Sequence, residues 1–188
     1  MEHGFIAALT QLGVAAAQAE ALFSQSSPRR CAPGEVLVAQ HSHQNELFFV
    51  ERGLCHAAYL TPQGKQFSKE FYWELDWVIG FEAWLAGTPS PFQLQALTEV
   101  QLRILPMSVL TQWRAERHPA HVTLLEQQLI YKERKERLML LHSPSQRYAL
   151  FCQDYPHLLR RLNDYQIAAY LGITHVSLSR IKARLRQN

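Results

Sequence analysis

The chain has 188 residues, 47% hydrophobic and 19% charged, with a formal net charge of +3. That composition excludes a disordered chain and allows one good core or two small ones, and no apolar run approaches the ~20 residues a membrane span needs. The charge is uneven: residues 132–188 hold eleven Lys/Arg against four Asp/Glu, whereas residues 1–131 hold eight against twelve. A basic C-terminal third on an acidic remainder is the asymmetry expected where one end meets a polyanion. The opening MEHGFIAALTQLG has neither the basic stretch nor the cleavage signal of a secretory leader. Cys31, Cys55 and Cys152 are far apart and form no CxxC pair, which fits free thiols in a reducing cytoplasm rather than zinc or an iron–sulfur cluster.

In chain order, residues 4–24 read as one or two short helices, with Phe5, Leu9, Leu12 and Leu22 at helical spacing. SSPRRCAPGE breaks the pattern with Pro28, Pro33 and Gly34. The period then falls to two, and short β-rich runs follow: EVLVA, ELFFVER, LCHAAYL, KQFSKEFYW, DWVIGF, PFQLQAL and VQLRIL. Turn chemistry separates them at Arg52-Gly53, TPQG and GTPSP. Short strands at this spacing predict an antiparallel β-roll or jelly roll.

Beyond Pro106 the pattern is helical. MSVLTQWRAE is a short helix, and HPAHVTLLEQQLIYKERKERLMLLH is a long one with Val122, Leu125 and Leu129 spaced like the start of a dimer seam. Ser143, Pro144 and Gln146 form a capping-box signature for the next helix, and Asn163 with Gln166 offers another cap. The expected class is therefore α+β: a β-roll domain over residues 1–117, a dimerisation helix over 118–142 and a small all-helical domain over 143–188.

Within the last domain the residues have the mechanical logic of a helix-turn-helix. Ala168 is small where two helices cross, Gly172 tolerates positive φ at the turn, and Ile167, Leu171, Ile173, Leu178 and Ile181 are apolar anchors. Thr174 is placed to cap the second helix. His175, Val176, Ser177 and Arg180 project from its N-terminal half, with Lys182 and Arg184 nearer a phosphate backbone. Such a helix enters the major groove of double-stranded DNA, where Arg pairs bidentately with guanine.

RYALF…YPHLLRRLNDYQIAAYLGITHVSLSRIKARL closely resembles the C-terminal domain of the CRP/FNR family of bacterial transcription regulators. PGEVLVAQHSHQNELFFVERGLCHAAYLTPQGKQ resembles the opening strands of that family's cyclic-nucleotide-binding-like β-roll. The resemblance implies a homodimer joined along the long helix, each half reading one half-site of a near-palindromic promoter element, with RNA polymerase as a candidate partner. It places Arg180 on the recognition-helix arginine used against guanine, and His175 and Val176 where well-known members carry Arg-Glu. The sequence stops soon after Arg186, so no full wing is expected, and Lys182, Arg184, Arg186 or the preceding helices must supply phosphate contacts. In members that bind cyclic AMP, a Gly-Glu pair precedes a short helix and an Arg-Ser or Arg-Thr pair holds the phosphate. Here Phe81 separates Gly80 from Glu82, Ser90-Pro91 stands in place of the arginine pair, and no Lys or Arg occurs between Lys69 and Arg103. Cyclic AMP binding is not expected, and any effector of that pocket is unknown. Trp73, Trp77, Phe81 and Trp84 give the region aromatic character and are expected to be core.

A rival reading rests on His41, His43 and Glu46, which resemble the first metal-binding motif of the cupins. In a strand, alternate residues share a face, so both imidazoles could reach one ion. Against it, the spacing to Glu46 is one residue short, and Lys65-Gln66-Phe67 follows PQG where a second motif would place another His. The alternative is an exposed polar loop. No nucleophile–base pair and no phosphate-cradling glycine loop appears, so neither a catalytic residue, a metal nor a cofactor is expected.

Overall fold

The computed structural model describes residues 2–187. Eight antiparallel strands form two four-stranded sheets, ordered β1-β8-β3-β6 and β2-β7-β4-β5. The strands are β1 (Ser27–Cys31), β2 (Val36–Val38), β3 (Glu46–Arg52), β4 (Cys55–Leu60), β5 (Gln66–Tyr72), β6 (Trp77–Val78), β7 (Gln93–Ala96) and β8 (Val100–Pro106). Seven of them fall on the β-rich runs of the sequence. The eighth, β1, lies in SPRRC, where Pro28 and two arginines hide it from a pattern search. It pairs only with β8, and an edge strand tolerates a proline that a central strand would not.

The two sheets enclose a core of Cys31, Val38, Phe48, Val50, Cys55, Ala57, Tyr72, Phe92, Leu94 and Leu102. The β3–β4 turn depends on Gly53, whose φ is +104 and where a Cβ would lie 2.4 Å from the Glu99 carbonyl oxygen. A register shift between Ala57 and Ala58 leaves Lys69 without an opposite residue on β4, so β5 bends at this point.

A second core lies outside the roll. Helices α1 (Glu2–Gln11) and α2 (Ala16–Gln25) bring Phe5, Leu9 and Leu22 against Phe49, together with Leu110 and Trp113 of α4 (Ser108–Ala115). Helix α3 (Phe81–Ala86) follows β6. The long helix α5 (Pro119–Leu141) starts with Pro119 in its first turn and with the His118 ring accepting the Ala120 N–H at 3.1 Å. Ala120 and Leu124 anchor it to the second core.

The C-terminal helices are α6 (Pro144–Asp154), a 3-10 turn over Leu158–Arg160, α7 (Asp164–Tyr170) and α8 (His175–Gln187). Reciprocal capping boxes at Ser143/Gln146 and Asn163/Gln166 start α6 and α7. Phe151, Leu158, Ile167, Leu171, Leu178 and Ile181 share a third core with Leu54 and Phe71 of the roll. The Tyr170 ring packs on Phe71 at 5.4 Å and its hydroxyl lies 3.0 Å from that of Tyr131 on α5. Arg161 donates two bonds to Glu74, at 2.7 and 3.0 Å. The helical domain is therefore seated on the β5 side of the roll.

Candidate nucleic-acid interface

The sharp turn between α7 and α8 is held from outside as well as within. Gly172 has φ +65, and a Cβ there would lie 2.6 Å from the Met139 methyl at the end of α5. Arg147 of α6 donates to the Leu171 carbonyl at 2.6 Å, satisfying the C-terminal end of α7. Thr174 accepts the Ser177 N–H at 3.1 Å and so caps α8. Leu178 and Ile181 are buried, which fixes the rotation of α8 and turns the opposite face outward.

On that face Val176, Ser179, Arg180, Ala183, Arg184 and Arg186 are exposed. Arg180, from which the sequence leads one to expect a base contact, makes no ion pair among the described residues. Two of the residues expected to contact nucleic acid are engaged within the chain. Lys182 is paired with Asp164 at 2.6 Å, in the first turn of α7. His175 is half-buried because its ring stacks on Tyr165, with centroids 4.0 Å apart and planes 10° from parallel. Sequence reasoning passed over both Tyr165 and Arg147. Capping signals reach only a few residues, whereas Arg147 acts on a carbonyl 24 residues away.

The nucleotide-pocket residues are brought together less well. The Gly80 N–H donates to the Gln44 side chain at 3.1 Å, and the Gln44 amide in turn donates to the Val78 and Glu46 carbonyls. A Cβ on Gly80 would meet that Gln44 oxygen at 2.9 Å and the Phe92 ring at 3.6 Å, so the space beside this glycine is filled. Ser90 is fully buried, its hydroxyl donating to the Phe92 carbonyl and its backbone bonded to His41 and Ser42. Glu82 is exposed, Pro91 is half-buried, and Phe81 packs toward the outer core. The four aromatic residues expected in the core are each only half-buried, and their packing partners differ. Trp77 packs on Phe5 and Phe49, Trp84 on His121, and Trp73 on Tyr155.

A cation nevertheless reaches this interior from β5. The Lys69 ammonium lies 4.5 Å from the centre of the Phe92 ring and 3.3 Å from Glu70. One Glu70 oxygen also accepts from Tyr72 at 3.1 Å, Lys132 at 3.0 Å and Gln128 at 3.5 Å, joining β5 to α5. Burial alone would raise the Glu70 carboxyl, but Lys69 and Lys132 hold it below the ordinary carboxylate value, while burial lowers Lys69 to about 8.

On α5, Val122 and Leu129 are exposed and Leu125 is half-buried. Ile130, Leu140 and Leu141 are exposed too, the last two at 73% and 71%, so apolar surface resumes beyond KERKER. His41 and His43 do not lie in a strand. They sit in the loop between β2 and β3, both exposed, with His41 at φ +68, and among the described residues no three His, Cys, Asp or Glu side chains are grouped to hold a metal. The shared strand face on which the cupin reading depends is absent, and the exposed polar loop is what the structure contains.

An eight-stranded roll, a long helix and a compact helix-turn-helix in that order define the class: the CRP/FNR-type transcription regulator fold. The family model described as cyclic nucleotide-binding domain matches residues 28–117. FixK2 from Bradyrhizobium japonicum is similar in structure, with a TM-score of 0.73 at 17% identity over 86% of this chain and 85% of that one. The c-di-GMP responsive global regulator CLP of Xanthomonas campestris gives 0.72 at 14% identity over 92% of each chain. The catabolite activator protein of Thermus thermophilus gives 0.55 at 19%, over 93% of this chain and 85% of that one. At such identities the likeness is one of fold. A search of curated protein sequences finds no match. No helix among the described residues is long and apolar enough to cross a membrane.

Proposed function

We propose that the chain is a cytoplasmic, DNA-binding transcription regulator that works as a homodimer. Residues 1–117 form its sensor-type roll, 118–142 its dimer helix and 143–188 its DNA-binding domain. The observation that carries this reading is the disposition of α8: its apolar side is buried, its start is capped, and Arg180, Arg184 and Arg186 stand together in solvent. A helix so presented meets the geometric and electrostatic needs of the major groove. Thr174, His175, Val176 and Ser177 lie at its leading end, where Val176 suits a thymine methyl and cannot accept from cytosine. Val122, Leu125 and Leu129, extended by Leu140, supply apolar surface for a second α5. The space beside Gly80 is taken by Gln44 and Phe92, which supports a regulator that does not use cyclic AMP. No enzymatic role is proposed.

Selection of binding sites from random duplex, run with and without cyclic AMP, tests this. An enriched near-palindrome, the same in both arms, is expected. Arg180→Ala should weaken binding to it by about 1–3 kcal/mol and relax one base position, whereas Arg184→Ala should weaken all duplexes alike. Lys182→Ala should do less than Arg184→Ala, because its ammonium already faces Asp164. Absence of any enriched sequence, or unchanged selection by Arg180→Ala, would overturn the assignment.

A further inference from the structure

At the open edge of the roll, between β5 and β6, α5 covers a cavity of about 320 Å³. Trp73, Trp77, Phe81, Tyr131 and Tyr155 wall it. Its walls come from three parts of the chain, since Tyr131 belongs to α5 and Tyr155 ends α6. It is distinct from the filled space at Gly80 and Ser90: neither of those residues lines it, although Ile79 and Phe81, on either side of Gly80, do.

Two carboxylates line this cavity, and they are in different states. Glu70 is fully engaged by Lys69, Lys132, Tyr72 and Gln128. Asp76 accepts only the Trp73 N–H, at 2.8 Å, and pairs with no Lys, Arg or His among the described residues. Burial pushes its carboxyl up to about 7 against the pull of that N–H, and Glu70 and Glu74 push the same way. The nearby ammonium groups are committed elsewhere, Lys69 and Lys132 to Glu70 and Lys135 to the Ser68 and Lys69 carbonyls. Leu75, next to Asp76 on the rim, has φ +74 and is 60% exposed, an unfavourable backbone state for a branched residue. An uncompensated carboxylate among π faces is complementary to an organic cation, which gains both from the charge and from the ring quadrupoles. A neutral aromatic would leave Asp76 uncompensated, and an anion would be repelled by both carboxylates.

We propose that this cavity is a binding site for a small organic ammonium compound, held by the Asp76 carboxylate and the faces of Trp73, Trp77 and Tyr131. Such a ligand touches the roll, the long helix and the helix-turn-helix domain at once.

The test is tryptophan emission of the full chain, titrated with phenethylammonium at about pH 8, where Asp76 is ionised. Hydrocinnamate, an anion of closely similar shape, is the control. A saturable change with the ammonium and none with the anion is expected, with Asp76→Asn weakening binding by about tenfold or more. Asn retains an acceptor for the Trp73 N–H. Should that variant fail to fold, Gln127→Trp, from the exposed side of α5, fills the cavity mouth and should abolish the signal. No saturable change in the native chain, equal binding of the anion, or undiminished binding by either folded variant would overturn the proposal. The readout involves no DNA, so it stands or falls separately from the regulatory reading.

Discussion

Helix α8 and the slot at Gly80 and Ser90 are the two places at which this chain can be set against the CRP/FNR-type fold, and they match it differently. In α8 the features expected of a groove-reading helix are present: a capped start, a glycine at positive φ before it, a buried apolar side and, Lys182 apart, an exposed cationic one. In the slot the backbone path remains, with Gly80 opening a short helix, but its chemistry has been replaced. Gln44 takes the glycine N–H, Phe92 fills the adjoining space, and Ser90 turns its hydroxyl onto its own backbone. A fold can thus keep its frame while a ligand site closes, because the frame depends on strand pairing and the site on a few side chains.

Three measurements press on that contrast. The largest effect should come from the closed slot. Phe92→Ala should cost about 3–5 kcal/mol of stability in denaturant unfolding, as expected for an aromatic ring that fills a sealed interior. A loss below about 1 kcal/mol would mean that the slot is open after all. Next comes the turn before α8. Gly172→Ala should cost about 1–2 kcal/mol through its positive φ. The Met139 methyl can move aside, so strain rather than collision should dominate, and thermal melting of Gly172→Ala beside Met139→Ala/Gly172→Ala would separate the two.

The smallest effect concerns the seam between the regions. His56 on β4 stacks on Phe71 and lies 2.8 Å from the Ser68 hydroxyl; burial, aided by Lys135, lowers its value to about 4. The unfolded chain has an ordinary histidine near 6.5, so below that pH the unfolded state binds more protons. The contribution is complete above about pH 6.5 and is lost as pH falls toward 4, amounting to about 1 kcal/mol at roughly pH 5.5. His56→Gln should flatten stability across this window; an unchanged slope would place the acid sensitivity elsewhere.

Legibility from sequence followed the range of the interaction. The caps at Ser143, Asn163 and Thr174, the turn at Gly172 and seven strands could be read because each depends on neighbours a few residues away. Strand β1 was hidden because its stability comes from β8, some seventy residues later, rather than from its own alternation. Nothing in the local sequence around Ser90 signals a cation, because Lys69 reaches the Phe92 ring from another strand. For the same reason the pairing of Lys182 with Asp164, on another helix, was not legible.

What the sequence alone determined is the order of elements and the capped helix α8 with its buried apolar side, since hydrophobic period, capping and backbone φ are local properties. Only the tertiary structure decided that Gln44 fills the space beside Gly80, that Arg161 ties the helical domain to Glu74, and that Asp76 lines an aromatic cavity without a cationic partner among the described residues. Those contacts join residues 36, 87 and about 50 positions apart, and no local pattern encodes which distant side chain fills a given space.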